Sequence, residues 1–185
     1  MFRPLVTVSL VAIPLLYIKP IHANEIDVTG SLAAGTSNRT DDGVGSASLR
    51  ARYAWHPNVA VGLSLIAAAG ETDERSIGAF ALTAQLGKTF GRWRPSLRAG
   101  LIHQHETAVE DFEDSPLTVT LGVDEAIRHR TGGIAEVGLT LDLYTHRYGV
   151  AFAASDLTTQ VMFDDNGPRA YMLLGLGLGV RIGTL

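Results

Sequence analysis

Three histidines around the longest polar segment of this chain have the chemistry to bind a metal ion. His103 and His105 lie two positions apart, so their side chains share a face wherever this stretch is extended. His129 lies beyond the polar segment, and a hairpin would bring it near that pair. Imidazole nitrogens suit zinc, copper and nickel. The spacing matches no strict metal signature, so solvated loop histidines are the alternative. The carboxylates able to complete a ligand set are Glu106, Asp124 and Glu125.

Six charged side chains form a second candidate set, because each shares the polar phase of a segment in which apolar and polar residues alternate. They are Arg50, Arg52, Arg98, Glu136, Asp142 and Arg181. If these segments close into one narrow sheet, all six side chains share its interior. An isolated buried ion is very costly, so these charges must pair. We therefore predict an ion-pair network that fills the interior, with a gated ion path as the alternative.

The chain shows no pattern for nucleophilic catalysis. A hydroxyl nucleophile needs its base within hydrogen-bond reach, yet neither His103 nor His146 is followed two positions later by a serine. Ser155 and Asp156 are adjacent, but no histidine lies near them in the sequence. We therefore predict no catalytic residues, no enzyme activity and no cofactor.

Short strands are the elements that must position these residues. Residues 170–185 show the pattern most clearly, since leucines alternate with glycines. A bulky face opposite a face nearly without side chains is typical of a small barrel that meets lipid outside and is crowded inside. In the weakest segment the apolar face rests on Val150, Phe152 and Ala154. The eight predicted strands are 25–35, 46–56, 59–70, 76–88, 95–103, 134–143, 149–160 and 170–185.

Connection lengths indicate the same topology independently. An even number of strands returns both termini to one side, and the turns on that side are short, at 56–58, 89–94 and 144–148. The loops on the opposite side include the longest, as transmembrane barrels prefer. These loops are 36–45, 71–75, 104–133 and 161–168. Aromatic residues gather at the short turns, where an interfacial girdle is expected. They are Tyr53, Trp55, Phe90, Trp93, Tyr144 and Tyr148.

Residues 117–123 are the segment that bears on the strand count, because they also alternate. Seven residues are short for a membrane crossing, and a ninth strand would move the C-terminus to the opposite side. Ser115 and Pro116 are typical of a helix start. We predict loop structure here, with a short helix as one possible form.

The first residues have the features of a secretory signal. Arg3 supplies a positive charge, 5–18 an apolar stretch too short to cross a membrane as a helix, and 21–23 a candidate cleavage site. We therefore divide the chain into a signal peptide, 1–23, and one domain, 24–185. Cysteine is absent, so no disulfide holds this exported domain. The net charge of −4, about −6 without the signal, indicates no nucleic-acid partner.

These patterns together resemble those of the small eight-stranded outer-membrane barrels, the family of the OmpA transmembrane domain. The resemblance covers 24–185 and rests on the alternating strands rather than on a motif. The chain ends Ile182-Gly183-Thr184-Leu185, without the terminal aromatic residue usual in that family. The resemblance implies an all-β fold, an eight-stranded antiparallel up-and-down transmembrane β-barrel in the outer membrane. A soluble lipocalin-like periplasmic barrel is the alternative.

The same resemblance implies a structural or surface-interaction role through the outer loops. The expected partners are outer-membrane lipid and lipopolysaccharide, while a protein partner stays unknown. Acidic residues such as 110–114 can hold calcium or bridge lipopolysaccharide phosphates through divalent ions, or can simply keep the loops hydrated. A small-molecule or metal-binding barrel is the alternative function, and a lipid-modifying enzyme comes third.

Overall fold

The structure is a computed structural model and describes residues 24–39, 42–70, 75–108, 127–165 and 167–183. These residues form strands that pair in chain order as one closed antiparallel barrel. The predicted fold class is therefore confirmed. The predicted signal peptide and the segment 117–123 lie outside the described residues. The strands are β1 Glu25–Ser37, β2 Gly43–His56, β3 Val59–Gly70, β4 Arg75–Gly87, β5 Trp93–Ala108, β6 Arg128–His146, β7 Gly149–Met162 and β8 Ala170–Gly183.

Among the described residues, no helix is long and apolar enough to cross a membrane.

The outer surface of the barrel is an apolar belt. On β8, Leu174, Leu176 and Leu178 are 63%, 69% and 68% exposed, while the glycines between them face the lumen. Side chains this large and this exposed suit hydrocarbon, not water. The pairing of β1 with β8, from Glu25 opposite Gly183 onward, closes the sheet. Within the apolar belt, each described strand is then paired with a neighbour on both edges, as a bilayer requires.

Short turns mark one end of the barrel, which we call the inner end; the opposite end is the outer end. The turns 57–58 and 147–148 join their strands through two residues. The turn before β5 contains Gly91, whose φ of 59° lies in the left-handed region that glycine adopts without steric cost. The aromatic residues predicted for a girdle are all exposed near these turns.

The β5–β6 hairpin extends further toward the outer end than its apolar pattern predicts. The predicted strands ended at 103 and began again at 134, because the outward apolar residues stop there. The ladder nevertheless continues to Glu106 opposite Arg128, since backbone pairing does not depend on an apolar outward face. The predicted loop 104–133 is therefore wrong at both ends, where its residues belong to β5 and β6.

The two faces of β7 are the reverse of the prediction. Phe152 is buried in the lumen, and the lipid face carries Leu157 and Val161 instead. The lumen has room for the ring because Gly179 lies opposite it on β8. The Arg181 guanidinium also lies 5.1 Å from the ring centroid, a cation–π distance. Because Asp156 has the same parity as Phe152, this reversal brings its carboxylate into the lumen.

Candidate functional site

The inner end of the lumen is filled by charged side chains that we call the inner cluster. Its members are Glu25, Asp27, Arg52, Arg94, Asp142 and Arg181. Arg181 lies 3.1 Å from Asp27 and 2.9 Å from Asp142. Arg94 lies 3.0 Å from Glu25, and Arg52 forms an ion pair with Asp27. Three arginines face three carboxylates, so the formal charges of the cluster balance.

A second set of ion pairs, the middle cluster, consists of Arg50, Arg98, Glu136 and Asp156. The Glu136 carboxylate lies 2.6 Å from Arg50 and 2.9 Å from Arg98. The Asp156 carboxylate stands further away, at 3.9 Å and 3.6 Å from the same two arginines. The Thr158 hydroxyl donates a further hydrogen bond of 3.0 Å to Glu136. Two positive and two negative charges again balance.

The six charges predicted from the sequence all lie within these two clusters. The predicted set of six consists of four arginines and only two carboxylates. A buried site does not tolerate such an excess of positive charge. The structure supplies the balance with residues that the prediction left out of the set. Asp27 was already on the polar face of its predicted strand, and the excess of positive charge was the available signal for it. Asp156 was hidden by the reversed faces of β7.

Above the middle cluster, toward the outer end, the lumen is filled mainly by apolar side chains, with the buried Gln104 amide donating a hydrogen bond of 2.9 Å to Gln160 among them. We call this set the apolar layer: Val44, Ile77, Ala79, Ala81, Ile102, Ile134, Met162, Tyr171 and Leu173. Two cavities between described lumen side chains measure about 10 Å³ beside this layer and about 30 Å³ near Arg50 and Arg98. A single water needs about 10–15 Å³ of such space, so each cavity holds very few waters. The sequence pattern, which assigned charges and glycines to the interior, missed this layer.

A further polar set, the outer cluster, closes the barrel above the apolar layer. Its charged members are Asp42, Arg75, Glu106 and Arg130, and the hydroxyl of Tyr171, whose ring belongs to the apolar layer, reaches it. Arg130 has no side-chain exposure and lies 2.8 Å from Glu106, to which the Tyr171 hydroxyl donates a hydrogen bond of 3.2 Å. Arg75 lies 2.6 Å from Asp42. Glu106 and Arg130 lie in the parts of β5 and β6 that were predicted as loop, and the sequence pattern assigned none of these residues to the interior.

The three candidate metal-binding histidines lie together on the outward face of the same hairpin. One nitrogen from each of His103, His105 and His129 lies within 4.8 Å of the others. His129 Nδ1 and His103 Nε2 lie 3.4 Å apart. His105 is buried, with the Phe80 ring 5.9 Å away in an edge-on arrangement, whereas His129 is exposed. The cluster therefore has one buried and one exposed ligand.

The predicted carboxylate of this group, Glu106, does not reach the histidines. It is adjacent to His105 on β5, so strand geometry turns it to the opposite face, where it pairs with Arg130. Asp124 and Glu125 lie outside the described residues. Of the three candidate carboxylates, Glu106 is therefore excluded because the pleat separates neighbouring side chains, and Asp124 and Glu125 stay predictions.

A hydroxyl does lie beside one of these imidazoles, although none was predicted. The Thr131 hydroxyl is 3.1 Å from His103 Nδ1. The other nitrogen of His103 faces His129 rather than a carboxylate, so among the described residues no acid orients this pair as a catalytic base requires. We take Thr131 as a group that holds the orientation of the His103 ring.

Comparison with known proteins shows which solved structures share this fold. No protein-family model matches the chain, and no curated protein sequence matches it. The solved structure of neisserial surface protein A, NspA, is similar with a TM-score of 0.61 and 12% identity, covering 88% of this chain and 99% of that one.

Two solved barrels of Pseudomonas aeruginosa are also similar, each with a TM-score of 0.50. The N-terminal β-barrel domain of OprF is 20% identical and covers 87% of this chain and 98% of that one. The outer membrane protein OprG is 10% identical and covers 88% and 98%. The closed eight-stranded topology, the apolar belt and these likenesses agree: the chain has the fold of the small outer-membrane β-barrels.

Proposed function

We propose that this protein is a closed outer-membrane barrel that acts at the cell surface through its outer loops. The observation that carries this proposal is the apolar layer, because buried and mainly apolar side chains, with one paired set of glutamines, fill the lumen between the middle and outer clusters. Such a layer disfavours water and ions along the barrel axis. A barrel that carries no solute is left with its outer surface as the place of action.

The ion pairs support the same view of the lumen. Each arginine of the middle cluster lies within 4 Å of two carboxylates, those of Glu136 and Asp156, and removing Glu136 leaves buried positive charge without compensation. Side chains held in this way favour a fixed plug over a moving gate. We therefore prefer the closed barrel to the alternative of a gated ion path.

The outer end supports a surface role. About 9–11 residues are enough for a tilted strand to cross a membrane, whereas β5 has 16 and β6 has 19. The excess extends the β5–β6 hairpin beyond the apolar belt at the outer end. Lipopolysaccharide is the neighbour we propose for this end, and any protein partner would meet it there.

The test replaces residues 109–126 by Asn-Gly, a two-residue hairpin turn, in a strain that otherwise lacks the protein. We expect the wild type, but not this variant, to restore adhesion or envelope integrity. The matched control places the same Asn-Gly at the inner turn 147–148 and should restore function. Slower migration after boiling on a gel confirms that each variant folds.

Two outcomes would contradict the proposal. Full restoration by the variant without 109–126 would remove the outer loop from the function. A lipid A acylation pattern that changes with the protein, and reverts in Thr131→Ala, would instead identify a lipid-modifying enzyme. Mass spectrometry of lipid A from the same strains decides the second point.

A further inference from the structure

We propose that His103, His105 and His129 bind a divalent transition metal ion, zinc in the first place, on the outward face of the β5–β6 hairpin. The site is independent of the proposed surface role, because it needs no partner to form. Four ligands at zinc–nitrogen distances of about 2.0–2.1 Å lie roughly 3.3 Å apart in a tetrahedron. Here His129 Nδ1 lies 3.4 Å from His103 Nε2, and one nitrogen from each of the three rings lies within 4.8 Å of the others. Small side-chain rotations are enough to close the set around one ion.

The backbone already holds these ligands in place. His105 lies directly opposite His129 in the β5–β6 ladder, and His103 follows on the same face two residues away. Such neighbours on paired strands have their Cβ atoms within side-chain reach. Ligands on strands are positioned more precisely than ligands on loops. Metal binding therefore requires little further ordering of the backbone.

Thr131 adds a second contact typical of metal sites. A ligating imidazole usually has its other ring nitrogen hydrogen-bonded, which fixes the tautomer and the ring orientation. The Thr131 hydroxyl occupies this position 3.1 Å from His103 Nδ1. That contact leaves His103 Nε2 directed at His129. His103 Nε2 is therefore the nitrogen that the metal would use.

The donor set selects the class of metal. Three imidazole nitrogens suit zinc, copper and nickel, whereas calcium and magnesium require oxygen ligands. Glu106, the nearest described carboxylate in the sequence, is held by Arg130 in the lumen. Three protein ligands leave the fourth position for water or an external ligand. The exposure of His129 makes that position reachable from outside the barrel.

Protonation should oppose metal binding. Imidazoles ordinarily titrate near about pH 6.5, and only the neutral form binds a metal. Phe80 of β4 and Thr131 of β6 face the cluster and carry no charge, while Arg128 lies against Glu106. Lowering the pH through the imidazole range therefore weakens binding, by up to about tenfold for each ligand and pH unit.

The test titrates zinc chloride calorimetrically into the refolded, detergent-solubilised protein, prepared without a histidine tag. We expect one ion per chain at about pH 7.5. The double variant His105→Ala, His129→Ala should bind more than about 100-fold more weakly, since even the loss of an outer hydrogen-bond partner costs 10–100-fold. The matched control is His146→Ala, which removes an exposed histidine at the inner end and should leave binding unchanged.

Further arms keep the proposal open to refutation. Thr131→Val should weaken binding about 10–100-fold, and lowering the pH to about 5.5 should weaken it further. If the double variant does not fold, as judged by gel migration before and after boiling, His129→Gln at the exposed position takes its place. Equal heats from wild type and histidine variants, an equal loss in His146→Ala, or calcium binding with the same stoichiometry would overturn the assignment.

Discussion

At the scale of single residues, Glu136 is the centre of the buried charges. Its carboxylate lies within 3 Å of Arg50 and Arg98 and accepts a hydrogen bond from Thr158. Asp156 is the remaining carboxylate of the cluster, and it stands further from both arginines. The two guanidiniums therefore depend on Glu136 for most of their compensation.

Replacing Glu136 with Gln should destabilise the barrel by about 3–5 kcal/mol, the usual result of leaving a buried charge unpaired. The comparison is Asp165→Asn, which removes an exposed partner of Arg169 and should cost no more than about 1 kcal/mol. Urea unfolding in lipid vesicles, followed by the gel mobility of folded and unfolded protein, measures both. Equal midpoints for Glu136→Gln and wild type would contradict the ion-pair role.

At the scale of elements, β7 and β8 fit each other through a ring and a row of glycines. Phe152 projects into the lumen toward Gly179, and a Cβ at that position would lie 2.4 Å from the ring. The same Cβ would lie 2.6 Å from the Val28 carbonyl oxygen. Glycine at this point of β8 is therefore a packing requirement of two neighbouring strands.

Gly179→Ala should destabilise the barrel by about 1–3 kcal/mol, because added atoms force the ring and the backbone apart. Adding Phe152→Leu should recover part of the lost stability, because it removes the contact with the ring. The recovery should be incomplete, because the contact with the Val28 carbonyl oxygen remains. Gly30→Ala is the control, because nothing lies within 4 Å of its Cβ position. The folded fraction after refolding into vesicles measures all three, and equal losses at Gly179 and Gly30 would contradict the packing argument.

At the scale of the whole molecule, the lumen is filled in successive levels. The inner and middle clusters balance their charges separately, and the apolar layer separates them from the outer cluster. An ion moving along the axis would have to displace paired arginines and then cross aliphatic side chains. Both steps are unfavourable, and they are unfavourable for different reasons.

The wild-type barrel should therefore give no steady conductance in planar bilayers. Replacing Arg50 and Glu136 with Ser should still give none, because the apolar layer remains. Conductance should appear when Ile102→Ser and Leu173→Gly are added, since both side chains belong to that layer. Steady current through the wild type, or through the Arg50 and Glu136 variant alone, would show that the lumen is not closed in this way.

The sequence predicted what kind of candidate sites the barrel contains better than it predicted which residues form them. Which residues face inward follows from alternation along each strand, so the six predicted charges lie within the described clusters. The three histidines were grouped by the same rule, applied across a hairpin. Asp156 and Phe152 were misassigned because small and polar residues on β7 give both faces a similar hydrophobicity. Glu106 was misassigned because it was treated as a loop residue.

The sequence by itself determined the number of strands, their direction, and the belt, because each depends on alternation and turn residues within a few positions. Only the tertiary structure decided which charges pair, since Arg50 meets Glu136 across the lumen, and Asp27 meets Arg181 where β1 pairs with β8. Closure and register bring these distant residues together, and no local pattern encodes either. The same holds for the apolar layer, whose members come from six strands. Inward aliphatic residues look like exceptions on each strand and become a layer only when the barrel closes.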